Sequence, residues 1–158
     1  MSAPLVDLVN RTVLCFGIAA AVYTVSVSVP EGDDASPPHV AASVVELGII
    51  DAQGNFIESD VVPLAIGQEF GWRLHIDDRA EHRWREVMTA PAAPREWIGD
   101  DLTVAACGTQ GITERTETPR GGVLSHGWAI TEGDPAGPYS IQLFLDDELV
   151  ETLRFVVR

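Results

Sequence analysis

The sequence predicts a mainly β chain: an antiparallel immunoglobulin-like sandwich over residues 43–158, preceded by one N-terminal transmembrane helix. Three observations support that class. Residues Thr12–Val29 form an apolar run without a charge. From Ser43 onward come about seven short strand-like segments, with turn residues every ~8–12 positions. The C-terminal segment alternates on both sides of an acidic turn, the pattern of a closing hairpin.

As a helix rising ~1.5 Å per residue, the run Thr12–Val29 spans about 27 Å, just enough for the hydrocarbon core of a bilayer. Asp7, Arg11 and the α-amino group precede it; Glu31, Asp33 and Asp34 follow it. With the positive side N-terminal, the N-terminus is expected in the cytoplasm and residues 43–158 in the periplasm or another extracytoplasmic space. Gly17, Ala20 and Ala21 leave one helix face small enough to pack closely against another membrane helix. A cleaved export signal is the main alternative, with Thr24 and Ser26 as the small residues before the cut. A soluble strand is the third, because Val25, Val27 and Val29 alternate with Ser26 and Ser28. The retained anchor is preferred, so residues 1–29 are assigned as the membrane segment.

Residues 30–42, PEGDDASPPHVAA, form a linker, since three prolines and three early acids neither continue a helix nor bury much surface. Val44–Asp51 reads as a first strand, closed by a turn at Gln53-Gly54-Asn55. Phe56–Leu64 contributes a second, stopped by Pro63. Glu69–Ile76 alternates most cleanly, with Phe70, Trp72, Leu74 and Ile76 on one side. Arg83–Thr89 is the next strand, and Ala90–Arg95 a proline-rich excursion toward Trp97. Leu102–Cys107 is a short strand, Gly108–Gly122 a polar loop or mobile edge, and Val123–Ile130 a further strand. In the final hairpin, Tyr139, Ile141, Leu143 and Leu145 face one way, the turn is Asp146-Asp147-Glu148, and Leu149, Leu153, Phe155 and Val157 share the return face. Glu151 falls in that apolar row and marks a place where register can slip.

Three stretches, VVELGII at 44–50, GQEFGWRLHI at 67–76 and HGWAITEGDPAGPYSIQLFLDDELVETLRFVV at 126–157, resemble a family of small bacterial domains of unknown function with an immunoglobulin-like sandwich. The last is also similar to the closing hairpin of extracytoplasmic immunoglobulin-like modules. The resemblance implies a fold and brings no catalytic residues. A Cys…Trp…Cys signature of antibody domains is absent.

A chain of 158 residues has room for one ordinary domain and a tail. Its 24 acidic residues against 10 basic ones give a net charge of −14, and every basic residue is arginine. That balance repels a phosphate backbone, so nucleic-acid partners are not expected. Cys15 lies in the apolar run, so no disulfide framework is expected and Cys107 reads as a lone thiol in the core.

No catalytic constellation, cofactor motif or metal site is assigned. His75, Asp77, Asp78 and His82 offer ligand-type side chains, yet they fall on a polar turn where such residues ordinarily face solvent. The paired acids Asp100-Asp101 and Asp146-Asp147-Glu148 lack the spacing and glycine of a calcium loop. Cys107 with His126 has no identifiable orienting group. Among the tryptophans, Trp72 and Trp128 read as core. Trp84 and Trp97, with Arg83, Arg85 and Arg95, form the candidate protein interface, because aromatics and arginines are enriched at such surfaces. The expected function is that of a non-enzymatic accessory or scaffold subunit of a membrane complex, photosynthetic or respiratory. Its helix would sit among lipid and partner helices, and its sandwich would dock on extrinsic subunits. The alternative is a free periplasmic binding module after signal cleavage.

Overall fold

A computed structural model describes residues 44–97 and 104–158. Gly17, Ala20 and Ala21, expected on a membrane helix, the expected linker at 30–42 and Asp100-Asp101 lie outside the described residues. Among the described residues, no helix is long and apolar enough to cross a membrane.

Ten strands follow one another: β1 (Val44–Ile50), β2 (Phe56–Glu58), β3 (Val61–Val62), β4 (Glu69–His75), β5 (His82–Thr89), β6 (Val104–Cys107), β7 (Gln110–Glu117), β8 (Val123–Ala129), β9 (Gly137–Leu145) and β10 (Glu148–Val157). They form a four-stranded sheet, β2-β1-β4-β8, and a six-stranded sheet, β3-β10-β9-β5-β7-β6. All neighbours are antiparallel except β3, which runs parallel to β10. The run β10-β9-β5 has the G-F-C order of an immunoglobulin sheet, while the two strands beyond it differ, since β6 precedes β7 in the chain yet lies outside it.

Period-two alternation builds the core between the sheets. β4 sends Phe70, Trp72 and Leu74 inward; β9 answers with Tyr139, Ile141, Leu143 and Leu145, and β10 adds Phe155 and Val157. Phe155 lies 5.4 Å from both the Phe70 and Tyr139 rings, so one end of the core is an aromatic stack. Trp84, on the strand that carries the core tryptophan of immunoglobulin domains, meets Trp72 edge-on at 5.1 Å. Tyr139, at the start of β9, donates its hydroxyl to the Pro135 carbonyl at 2.9 Å and ties the preceding loop to the sheet.

The structure corrects three expectations. Residues 110–117 are a strand, not a loop: β7 pairs with β5 along all eight residues, from His82↔Glu117 to Thr89↔Gln110. Its inward row is Gly111 and Thr113, which leaves little apolar signal. Phe56–Leu64 is two strands in different sheets, β2 beside β1 and β3 beside β10. Cys107 is disulfide-bonded, so it is not a lone thiol. The suspected slip is real: a bulge interrupts the β9–β10 register between Leu149 and Glu151, which turns Glu151 out to solvent.

Candidate functional site

The predicted interface residues do not form one surface. Trp84 is fully buried, because it shares the inward parity of Glu86 and Met88 on β5; it therefore cannot offer a docking face. Its indole N–H donates to Glu117 at 2.6 Å. Arg83 and Arg85 stand on the opposite, outer parity. Arg83 pairs with Glu114 at 3.3 Å and with Asp147, and the Asp147 carboxylate holds its guanidinium above the usual range. Arg85 lies 4.2 Å over the Phe144 ring. Arg95 and Trp97 follow the far end of β5. Arg95 reaches Glu132 at 3.4 Å, while Trp97 covers Gly111, where a Cβ would strike the indole, and donates to the Gly108 carbonyl at 3.1 Å. Arg83 and Arg85 are thus separated from Arg95 and Trp97 by the length of a strand.

Of the metal-type cluster, His75 points to Glu46 at 3.2 Å, and His82 turns inward to Asp146 at 2.7 Å and Asp78 at 3.4 Å. Among the described residues, no group of three or more His, Cys, Asp or Glu could hold a metal ion. His82 instead buttresses the β9–β10 turn. Asp146 and Asp147, at φ 48° and 72°, give that two-residue turn the left-handed backbone a type I′ hairpin needs. Burial pushes the Asp146 carboxyl up, but the hydrogen bond from His82 and the Arg83 N–H at 3.0 Å bring it below the usual range. Asp78 is also held low, by the backbone N–H groups of Ala80 and Arg79.

One polar constellation escaped the sequence reading. Glu86, on the inward row of β5, is completely buried. One carboxylate oxygen accepts the Trp72 indole N–H; the other accepts that of Trp128 at 2.6 Å and faces His126 Nδ1 at 2.9 Å. Trp72 comes from β4 and His126 and Trp128 from β8, so one side chain of the six-stranded sheet gathers three groups of the other sheet. His126 is packed 5.3 Å from both the Trp84 and Trp128 rings. The signal was present: a glutamate two residues after Trp84 and two before Met88 breaks an apolar row, as Glu151 does. Sealed among indoles, with the buried Thr113 directly across from it on β7, this carboxylate serves as an acceptor that joins the two sheets.

Two grooves open on the surface near this end. One, of about 330 Å³, lies on the outer face of the four-stranded sheet. Gly71 and Gly127, paired across β4 and β8, lie in its floor, and Phe56, on its rim, folds over Gly48. The other, of about 480 Å³, lies where the chain passes from β7 to β8; it is lined by Arg73, His75, Arg115, Glu117, Arg120 and Ser125 among others. These residues come from separate elements, which is why the sequence did not show them as a group.

Comparison with known proteins agrees with the architecture. The profile of the PM0630 beta sandwich domain matches residues 45–158. An immunoglobulin-like protein (PA1606) from Pseudomonas aeruginosa superposes with a TM-score of 0.52 at 18% identity, over 75% of this chain and 98% of that one. An alkylpurine DNA glycosylase from Pseudomonas fluorescens, bound to DNA containing an abasic site analog, matches at 10% identity and a TM-score of 0.42, over 75% of this chain and 31% of that one. That likeness is too slight to bear on activity. No curated protein matches the chain. With the match covering the whole sandwich, the chain belongs to the PM0630 beta sandwich domain family.

Proposed function

We propose that this chain is a non-enzymatic accessory subunit, in which the sandwich docks on partner proteins and the apolar run at 12–29 attaches it to a membrane assembly. The observation that carries this reading is the division of labour among side chains. Among the described residues, the fully buried carboxylate, Glu86, is spent on joining the sheets, whereas large aliphatic groups stand in solvent on the loop after β3. Leu64 is 45% and Ile66 77% exposed there. Val156, on the neighbouring stretch of β10, is 39% exposed, so this edge offers apolar contact area to a partner. Membrane fractionation of the native host with alkaline extraction tests the attachment. The intact chain is expected to stay with the membranes; recovery as a water-soluble monomer overturns it.

A specific observation favours a second reading, a free periplasmic binding module. The chain's only other cysteine is Cys15, inside the apolar run. A disulfide needs Cα atoms within about 7 Å, so a Cys15–Cys107 bond would keep that run out of a bilayer core. Peptide mapping without reduction separates the two: a Cys15–Cys107 cross-linked peptide supports the free module and removes the spanning helix.

A further inference from the structure

We propose that the groove between β4, β7 and β8 is a binding site for a small soluble polyanion carrying phosphate or carboxylate groups, held chiefly by Arg73 and Arg120. The chain has ten arginines against 24 acids, yet three of them, Arg73, Arg115 and Arg120, line this one concavity. Each comes from a different element: Arg73 from β4, Arg115 from β7, and Arg120 from the turn before β8. Neither Arg73 nor Arg120 makes an ion pair among the described residues. Elsewhere on the surface arginines are neutralised where they cluster with acids, as Arg83 is by Glu114 and Asp147.

The geometry preorganises these charges. The Arg73 guanidinium rests 4.1 Å over the Phe56 ring, a stacking contact that holds its plane at the border between the two grooves, both of which Arg73 lines. Arg120 opens a two-residue turn in which Gly121 and Gly122 have φ of 65° and 81°, and it is clamped to Val123 by reciprocal backbone bonds of 2.9 and 3.3 Å. Arg115 sits 5.8 Å from the Trp84 ring at the inner wall. Glu117, which also lines the groove, accepts the Trp84 indole N–H, so the lining sets three guanidinium groups against one carboxylate; Glu46, cross-strand from Arg73, faces His75. The Ser125 hydroxyl, directly across from Arg73 on β8, adds a neutral donor.

Size and charge select the ligand. A volume of about 480 Å³ suits a metabolite-sized molecule. Nucleic acid, an anionic bilayer or an acidic protein would all meet the field of a chain with net charge −14. A small anion inside the groove lies closest to the arginines, within a screening length of about 8 Å. Guanidinium groups favour carboxylate and phosphate oxygens because their forked N–H groups match them two at a time.

The inference is independent of how the chain is anchored, and its test does not involve a membrane partner. The full-length chain is titrated calorimetrically with pyrophosphate, and separately with citrate, at low ionic strength. At least one probe is expected to bind saturably at one site. Arg73→Gln and Arg120→Gln should each weaken it about ten-fold or more, the scale of one charge-assisted contact. Arg154→Gln, at an exposed position on β10, should leave binding unchanged. Near-ultraviolet circular dichroism confirms that each variant keeps the tryptophan packing. Absence of saturable binding of both probes, or equal weakening by Arg154→Gln, overturns the proposal.

Discussion

Glu86 is the residue on which the interior depends. Three N–H donors from the opposite sheet converge on its carboxylate. Removing it leaves buried donors unpaired, the costly half of any hydrogen bond. Glu86→Ala is expected to lower unfolding free energy by about 3–5 kcal/mol in denaturant melts. Glu86→Gln, which replaces one acceptor with a donor, should cost about 1–3 kcal/mol. A Glu86→Ala protein as stable as wild type would show that the network carries no stability. Asp146 provides the pH-dependent counterpart. Its carboxyl lies below its usual range in the folded chain, so it stabilises the fold above the ordinary carboxylate value, near 3.8. That contribution disappears as pH falls through the lower folded value. The melting-temperature gap between wild type and Asp146→Asn should be constant at neutral pH and narrow as the solution is acidified below about 4. A gap that widens in acid would contradict the assignment. Tyr139 behaves in the opposite sense. Burial, then the nearby Asp134 charge, pushes its hydroxyl up to about 12. The neutral form's advantage is fully present below about 10 and is lost as pH rises from there through about 12. Absorbance titration should show a tyrosine still ionising near the upper figure; ionisation of every tyrosine near the ordinary value would contradict it.

Among the elements, the four-stranded sheet is the most exacting. Gly71 and Gly127 face each other across β4 and β8, yet their surroundings differ. A Cβ at Gly71 would collide with the His126 carbonyl oxygen, a backbone atom that cannot step aside; at Gly127 the nearest atom, the Phe70 carbonyl oxygen, is 3.5 Å away. Gly71→Ala should therefore cost about 1–3 kcal/mol or prevent folding, whereas Gly127→Ala should leave the melting temperature nearly unchanged. Equal effects would refute this picture of the sheet. The elements also explain what was legible beforehand. β4 and β9 announced themselves because each places an unbroken apolar row on one face, and β10 because its row is interrupted only at Glu151. β7 did not, since Gly111 and Thr113 make a poor row and the strand is defined by its partners β5 and β6. Trp84 was misplaced for a related reason. Proximity to the proline-rich excursion suggested exposure, but parity with Met88 put it in the core. The arginine groove left no local signal, because topology alone brings Arg73, Arg115 and Arg120 together.

At the scale of the whole molecule, the fold is an immunoglobulin-like sandwich whose inter-sheet polar contacts are internal and whose surface is strongly acidic. In this chain the apolar loop after β3 and the arginine groove are on different parts of that surface. β4 runs from Glu69, just after the exposed loop, to His75, beside the groove, so the two features are set apart by the length of that strand. Docking and anion binding should then be separable by mutation. The central claim, that the sandwich is a docking module, is tested most directly by the mass of the particle solubilised from the native host in mild detergent. Wild type is expected in a particle several times heavier than the monomer. The double variant Leu64→Ser, Ile66→Ser should fall to the monomer while keeping its fold. A wild-type chain that is monomeric under the same conditions, or an assembly untouched by the double variant, would contradict the account.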